Sequence, residues 1–228
     1  MVIPARSGSK RIPNKNIKNF LGKPIICRVI NEIRDSGVAE RIIVSTDSAE
    51  IKKIAEEAGA LVPFMRPTEL SDDFSDTSSV MAHASKYMRE FLGSDDPIMC
   101  VYPTAVMLTA EDLKAGVREF QSGKWAYVFS GYQPSSSPLR MFRLQEGGGC
   151  EMFFPNYFSY RSQDLPPAYS DAGMFYLAAQ ETWEKGKDIF GSESTVVEIS
   201  KERAIDINDL SDWMLAESRY SICYEKGQ

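Results

Sequence analysis

A chain of 228 residues, 43% hydrophobic and 25% charged, is long enough for one sizeable core and short for two. Its formal net charge of −6 argues against general nucleic-acid binding. Without a run of about 18 apolar residues no transmembrane helix is expected, and Arg6, Lys10 and Arg11 interrupt any apolar core that a secretory leader would need.

The chain opens on a short apolar strand that runs into Ile3 to Asn16, IPARSGSKRIPNKN. Arg6, Lys10, Arg11 and Lys15 fall within ten residues of an otherwise acidic protein, interleaved with Ser7, Gly8 and Ser9. Small residues allow a tight turn with accessible N–H groups. Amide donors and cations directly after a first strand suit a triphosphate. The Walker A spacing is absent, and a solvated basic turn is the plain alternative. Ile26, Val29, Ile30 and Ile33 then repeat at helical spacing between Pro24 and Gly37. Arg41 to Thr46 (RIIVST) is strand-like. Asp47 is placed to cap a helix with Glu50 three residues on, Ile51, Ile54, Ala55 and Ala58 forming its buried stripe and Gly59 its end. A strand over Ala60 to Phe64 leads into a polar loop. Next come a helix marked by Val80, Met81, Ala84, Met88 and Phe91, a strand at Ile98 to Tyr102, a helix near Ala110 to Gln121 and a strand at Trp125 to Ser130.

This alternation predicts an α/β fold, a Rossmann-like, mostly parallel sheet with helices on both faces. Ligands of such sheets bind beyond the carboxyl ends of the strands. The basic loop, the Thr46-Asp47 end, the Arg66 loop and the Pro103-Thr104 end should therefore line one crevice.

Between about 131 and 170 the rhythm breaks. QPSSSP, the Gly147-Gly148-Gly149 turn and CEMFFP predict an antiparallel hairpin, rich in exposed aromatics (Phe153, Phe154, Tyr157, Phe158, Tyr160). It reads as a lid or a dimerisation arm inserted in a single 1–228 domain. Strand-like Gly173 to Ala178, Val196 to Ile199 and Ala204 to Ile207 follow, then a helix near Leu210 to Tyr220. In AIDINDLSDW, Asp206 and Asn208 are two apart and share a face of an extended segment. Two oxygen ligands there suit a hard cation such as Mg²⁺, whereas Asp209 and Asp212 read equally well as caps of the last helix. The segment Arg161 to Gly173, RSQDLPPAYSDAG, suits a polyhydroxylated ligand or is an ordinary polar surface loop. The one histidine, His83, has no neighbouring Cys or His and reads as a packing residue. It leaves little for a zinc site or a Ser-His-Asp triad. Cys27, Cys100, Cys150 and Cys223 form no C-x-x-C pair and read as reduced, mostly packed thiols of a cytoplasmic protein.

Taken in order, IPARSGSKRIPNKN, IIVSTD, VPFMRPTELSDD, YPTA, RSQDLPPAY-DAG-FY and the final DIN-DW resemble, over nearly the whole chain, the cytidylyltransferases that activate nine-carbon sugar acids as CMP-sugars. Within that family the resemblance is to the pseudaminate enzymes. It implies that Arg6, Ser9, Lys10, Lys15 and Asn16 form the nucleotide-binding loop and that Arg66 and Thr77 approach the cytidine. It places Tyr102 on the sugar side, where sialate enzymes carry Gln, together with Arg161, Gln163, Asp164, Tyr169 and Asp171. Asp206 and Asn208 take the place of the metal pair. Departures are Asn208 for the usual Asp, Ser7 for a Gly, Met174 for a Gln, and Leu139 before Arg140. The pattern also expects a few residues before Met1.

The implied reaction is attack of the sugar's anomeric hydroxyl on the α-phosphorus of CTP, releasing pyrophosphate. Arg6, Lys10, Lys15 and Asp206 are its implied catalytic groups, Mg²⁺ its cofactor, and a homodimer its assembly, each arm approaching the partner's site. The alternatives are a nucleotidyltransferase for sialic, legionaminic or 3-deoxy-octulosonic acid, and a nucleotide-binding regulatory module that has lost turnover.

Overall fold

The computed structural model describes residues 1–72 and 74–225. In chain order the elements are β1 (Val2–Pro4), β2 (Asn19–Phe20), β3 (Lys23–Pro24), α1 (Ile25–Ser36), β4 (Ile43–Ser45), α2 (Ala49–Glu57), α3 (Thr77–Leu92), β5 (Ile98–Val101) and α4 (Ala110–Gln121). They continue with β6 (Tyr127–Tyr132), β7 (Phe142–Leu144), β8 (Cys150–Met152), β9 (Ser170–Ala178), α5 (Gln180–Glu184), β10 (Ser194–Glu198) and α6 (Leu210–Tyr220). Among the described residues no helix is long and apolar enough to cross a membrane.

The main sheet has the order β10-β6-β9-β5-β1-β4. β1 pairs in parallel with β4 and β5, and β10 with β6. β9 runs antiparallel to both its neighbours, so the sheet is mostly parallel with one reversed central strand. Its side chains alternate between two cores, as the two-residue period of a strand requires. Ile3, Val44, Met99, Val101, Val128, Phe175 and Leu177 face one, with α1, α2, α4 and α6. Val2, Ile43, Ile98, Cys100, Tyr127 and Tyr176 face the other, with α3 and α5. Both faces are therefore covered by helices, as the alternation predicts.

Several helix ends follow their local chemistry. α1 buries Ile25, Ile26, Val29, Ile30 and Ile33 and stops at Gly37, whose φ of 68° suits a residue without a Cβ. α4 starts on a reciprocal box between Thr109 and Asp112, and α6 on one between Asp209 and Asp212. The capping alternative for Asp209 and Asp212 thus holds. α2 departs from expectation: its cap is Ser48, which accepts from Ile51 N at 3.3 Å. Asp47 is turned away into the first loop.

Two expected strands do not form. Ala60 to Phe64 makes only isolated parallel bridges, Ile43 with Leu61 and Thr46 with Met65, because Pro63 between them has no N–H to give a ladder. Ala204 to Ile207 is a loop: the Ala204 and Ile205 amides bond locally, to Ser200 O and Arg203 O, and among the described residues the segment joins no sheet. β-branched composition expresses a preference that only a partner strand can satisfy.

Where β9 passes β6, the register shifts between Phe129 and Gly131. The orphaned Met174 and Phe175 N–H groups both donate to the buried Ser130 Oγ at 3.1 Å, which closes the hydrogen-bond account of this bulge. The excursion carries the expected hairpin, β7 against β8, with Phe142 opposite Met152 and Leu144 opposite Cys150. His83 packs edge-on against Phe64 at 4.9 Å, a packing role. Of the four thiols Cys100 is buried and Cys27 half-buried, but Cys150 and Cys223 are exposed, which corrects the expectation of mostly packed cysteines.

Candidate nucleotide-transfer site

The carboxyl ends of β1 and β5 open into a cavity of about 260 Å³; the Thr46-Asp47 end of β4, expected to line it, does not, Asp47 being turned to Ser7. The first loop gives it Arg6, Ser9, Lys15 and Asn16. The polar loop and the start of α3 give Arg66, Asp76 and Thr77, the end of β5 gives Tyr102, Pro103 and Thr104, and the loop before α6 gives Asp206. The strand-end rule thus brings together eight of the residues singled out from the sequence: Arg6, Ser9, Lys15, Asn16, Arg66, Thr77, Tyr102 and Asp206.

The first loop is held in shape from several sides. Asn14 sits in the left-handed region at φ 52°, a conformation Asn tolerates better than most residues. Asn16 Nδ2 donates to Arg6 O at 2.9 Å, tying the two ends of the loop. Ser7 donates twice to Asp47, its N to Oδ1 at 2.9 Å and its Oγ to Oδ2 at 2.7 Å. This is what Asp47 does in place of capping α2, and the second bond exists only because residue 7 is Ser rather than Gly. On the far side Lys15 Nζ donates to Ile207 O at 2.7 Å and Arg11 Nη2 to Asn208 Oδ1 at 2.7 Å. The basic loop and the Asp206–Asn208 segment are thereby stitched into one rim.

Electrostatically the cavity is cationic, with Arg6, Lys15 and Arg66 against Asp76 and Asp206. Burial pushes the Lys15 ammonium below the usual lysine range, and Asp206 nearby opposes that shift. Arg66 is 6% exposed. Its Nε donates to Ser45 Oγ at 3.1 Å, and its Nη2 donates to Ser45 O. Burial pushes Arg66 down to about 10, so it stays charged at neutral pH. Thr77 Oγ1 lies 2.5 Å from the Tyr102 hydroxyl, and burial lifts the Tyr102 phenol well above the tyrosine range. These two side chains are neutral hydrogen-bonding groups.

A second, larger cavity of about 640 Å³ shares the wall Asp76, Thr77 and Tyr102 and adds Asp171, Tyr176, Lys185, Lys187 and Phe190. Of these, sequence reasoning found Tyr102, Asp171 and Thr77 but missed Tyr176 and the Lys185–Phe190 turn. The signal available was EKGKDIF, a Gly between two lysines after the buried Trp183.

The other sequence candidates stand elsewhere. Lys10 is exposed and outside the cavity lining. Arg161 and Asp164 are exposed and pair with each other, Nε to Oδ2 at 2.6 Å, with Gln163 between them. Tyr169 OH accepts from Gln133 Nε2 at 3.1 Å and donates to Glu198 Oε2 at 3.4 Å. None of these four arm residues lines either cavity of its own chain. Asn208 Nδ2 donates to Asp206 Oδ2 at 2.6 Å. Since its Oδ1 already accepts from Arg11, Asn208 steadies the Asp206 carboxylate in this arrangement. Among the described residues no group of three or more His, Cys, Asp or Glu gathers to hold a metal. A cation that keeps its waters and takes substrate phosphates needs only one or two carboxylates. Asp206 fits that requirement.

A family model described as cytidylyltransferase matches residues 1–146. The chain is 34% identical over 224 residues to a pseudaminic acid cytidylyltransferase of Campylobacter jejuni, covering 98% of this chain and 97% of that one. It is 29% identical to a CMP-N,N'-diacetyllegionaminic acid synthase of Legionella pneumophila, covering 95% of this chain and 93% of that one. Among solved structures, a CMP:2-keto-3-deoxy-manno-octonic acid synthetase complexed with CTP superposes with a TM-score of 0.70 at 14% identity over 98% of both chains. That last likeness is one of fold.

Proposed function

This chain belongs to the cytidylyltransferase family and is a CTP-using nucleotidyltransferase, and from that premise we propose that it transfers CMP to the anomeric hydroxyl of a nine-carbon sugar acid, pseudaminic acid first. The observation that carries the proposal is the meeting of Lys15 and Asp206, 191 positions apart in sequence (206 − 15), in one cationic cavity whose other walls are Arg6, Arg66 and Thr77. The substrate assignment leans on the 34% identity to the Campylobacter enzyme over almost its whole length.

In this reading Arg6, Lys15 and the Gly8 amide hold the phosphates, the Ser7 and Ser9 amides being used within the loop and its Asp47 anchor, with Lys10 at the exposed outer edge. Asn16 anchors the ribose end, and Arg66 and Thr77 meet the base. The sugar acid takes the second cavity, against Tyr102 and Asp171. The anomeric hydroxyl gives up its proton to water as its oxygen bonds to the α-phosphorus and the bond from that phosphorus to the β-phosphate oxygen breaks in line, and the charge that builds on the leaving pyrophosphate faces Arg6 and Lys15. Phosphoryl-type transfers depend mainly on such positioning and charge neutralisation. Mg²⁺ is the implied cofactor: Asp206, with Asn208 beside it, would hold it, and when bound it supplies positive charge next to the phosphates.

The arm leaves Phe142, Leu144, Phe153 and Phe158 between 57% and 75% exposed, a patch of the kind that marks an interaction surface. A homodimer through this arm would carry Arg161, Gln163, Asp164 and Tyr169 to the partner's sugar cavity. A monomer by sedimentation at micromolar concentration would sink the dimer. A cytoplasmic setting, where CTP is at hand, goes with this reading.

The test is a panel of sugar acids with CTP, UTP and GTP, watched for pyrophosphate and, by mass spectrometry, for the CMP product. Pseudaminic acid with CTP is expected to give both. Product with another sugar acid alone would reassign the acceptor, and tight CTP binding with no pyrophosphate would favour the regulatory module. Within the same assay, Asp47→Ala, which strips both anchors from Ser7, is expected to raise KM for CTP by about tenfold. Ser7→Gly, which strips one, should raise it by only about threefold, consistent with a single hydrogen bond. Equal KM values for wild type and Asp47→Ala would show that the loop holds its shape unaided.

A further inference from the structure

Arg11, Asn208 and Asp206 join the basic first loop to the acidic segment before α6 in an unbroken line. Arg11 Nη2 donates to Asn208 Oδ1 at 2.7 Å, and Asn208 Nδ2 donates to Asp206 Oδ2 at 2.6 Å. The line runs in one direction only. A guanidinium has no acceptor and a carboxylate no donor, so the Asn208 amide turns its oxygen to Arg11 and its nitrogen to Asp206. The Asn208 backbone is pinned as well, its N donating to Asp212 Oδ2 at 2.8 Å within the cap of α6. Asp206 lies against Gly173 of β9, where an added Cβ would stand 3.5 Å from its carboxyl carbon.

This geometry leaves little for a metal ion. Asn208 Oδ1 is taken by Arg11, and an amide nitrogen offers a metal no lone pair. Asp206 Oδ2 is taken by Asn208. Among the described residues Asp206 Oδ1 accepts no hydrogen bond, so it is the oxygen of this pair left for a hard cation. The surroundings oppose a dication: Lys15 interacts electrostatically with Arg6 and Arg11 as well as with Asp206. Asp212, the other carboxylate that Lys15 senses, is engaged in the α6 cap. Three cations around one carboxylate repel a divalent ion until a triphosphate reverses the local sign.

We propose that Arg11 and Asn208 are positioning residues rather than metal ligands: Arg11, acting through Asn208, fixes the Asp206 carboxylate with a single oxygen left for a divalent cation, which this chain binds only together with the nucleotide's phosphates. The proposal rests on the function proposed above and deepens it. It replaces the metal pair that the resemblance implies with one carboxylate and its support. A hard cation that keeps its waters and takes substrate phosphates needs no more from the protein, and a group that orients a metal ligand tunes the site without touching the ion.

Mn²⁺ tests this without turnover, because its free-ion electron paramagnetic resonance signal falls as it binds. With no sugar acid present, and corrected for Mn²⁺ held by CTP alone, the wild type is expected to bind Mn²⁺ at least about tenfold more tightly with CTP than without it. Asn208→Asp, which adds a second carboxylate, should tighten Mn²⁺ binding to the nucleotide-free protein by about tenfold or more. Arg11→Lys keeps the charge but loses the guanidinium fork. CTP-dependent Mn²⁺ affinity should then fall about tenfold, the scale for losing the support of a metal ligand. Were Asn208 a ligand, the same change would release its Oδ1, and Mn²⁺ affinity would hold or tighten. That result would overturn the proposal. So would Mn²⁺ binding to the free wild type as tight as with CTP, or none in either state. Arg11 is exposed, so Arg11→Lys keeps the test open should Asn208→Asp disturb the α6 cap and fail to fold. A protein that shows the expected Mn²⁺ pattern yet makes no CMP-sugar would defeat the proposed function and leave this proposal standing.

Discussion

Lys15→Met or Asp206→Ala is expected to lower CMP-transfer turnover at least ~100-fold, the usual scale for losing one preorganised charge contact. The two side chains reach the cavity from opposite ends of the chain. Lys15 is also held by its bond to Ile207 O, so removing either charge unbalances both the phosphate site and its rim. Lys15 adds a pH signature. Burial holds its ammonium below the usual lysine range, so kcat/KM for CTP should fall with rising pH before an ordinary lysine, near ~10.4, would titrate. Lys15→Arg, charged throughout, should lose that alkaline limb. The same shift has a cost in the free enzyme. The unfolded chain holds this proton more tightly than the folded one, so the Lys15 contribution to stability improves as pH climbs from the lowered value toward the ordinary one. Near-normal turnover in both Lys15→Met and Asp206→Ala would remove the basis of the site.

Asp112→Ala is expected to cost about 3–5 kcal/mol of stability, the scale for stranding one partner of a buried ion pair. In a domain of this size that corresponds to a fall of roughly 6–20 °C in Tm. Asp112, 7% exposed, does two jobs. It accepts from Thr109 N at 2.9 Å and Thr109 Oγ1 at 2.7 Å to start α4. It also takes both guanidinium ends of Arg203, Nη1 at Oδ2 and Nη2 at Oδ1, the latter at 2.9 Å. Arg203 Nη1 further donates to Met107 O at 3.1 Å, which pins the loop that delivers Asp206. Denaturant titration checks the loss, and turnover should drop along with it. A cost under about 1 kcal/mol would class the pair with solvent-screened surface bridges.

How much of this was legible beforehand differs by element. α1, α4 and α6 carry their caps and apolar periods locally, and their observed limits fall where Pro24, Thr109 and Asp209 put them. The shared cavity followed only in part from strand-end geometry: the loop with Lys15 leaves β1 and Tyr102 leaves β5, whereas Arg66 and Asp206 were placed by expected strands that do not form. The reversal of β9 was not legible, because direction is set by its partners β5 and β6, which pair with it from 38 or more residues away in sequence. Ala60 to Phe64 and Ala204 to Ile207 mislead for the same reason: composition speaks of strand, pairing decides it. Asp47 looked like a cap because Glu50 lies three residues on, but its carboxylate is used by Ser7, 40 residues earlier. Tyr176 was hidden inside an apolar strand, where alternation marks it as core and says nothing of its hydroxyl.

The excursion of residues 133–169 departs from β6 at Tyr132 and rejoins β9 at Ser170, and these two residues stand opposite each other in the antiparallel register. Its stem is therefore clamped shut by the framework, whatever the length or wording of what hangs from it, and lengthening such a loop costs little since closure entropy grows only logarithmically. The chain thus pairs a framework, which carries the cavity residues Arg6, Lys15, Arg66 and Asp206, with an appendage whose two ends meet at one rung of the sheet. Insertions or deletions in that appendage leave the rung, and with it the geometry of the cavity beyond the strand ends, in place.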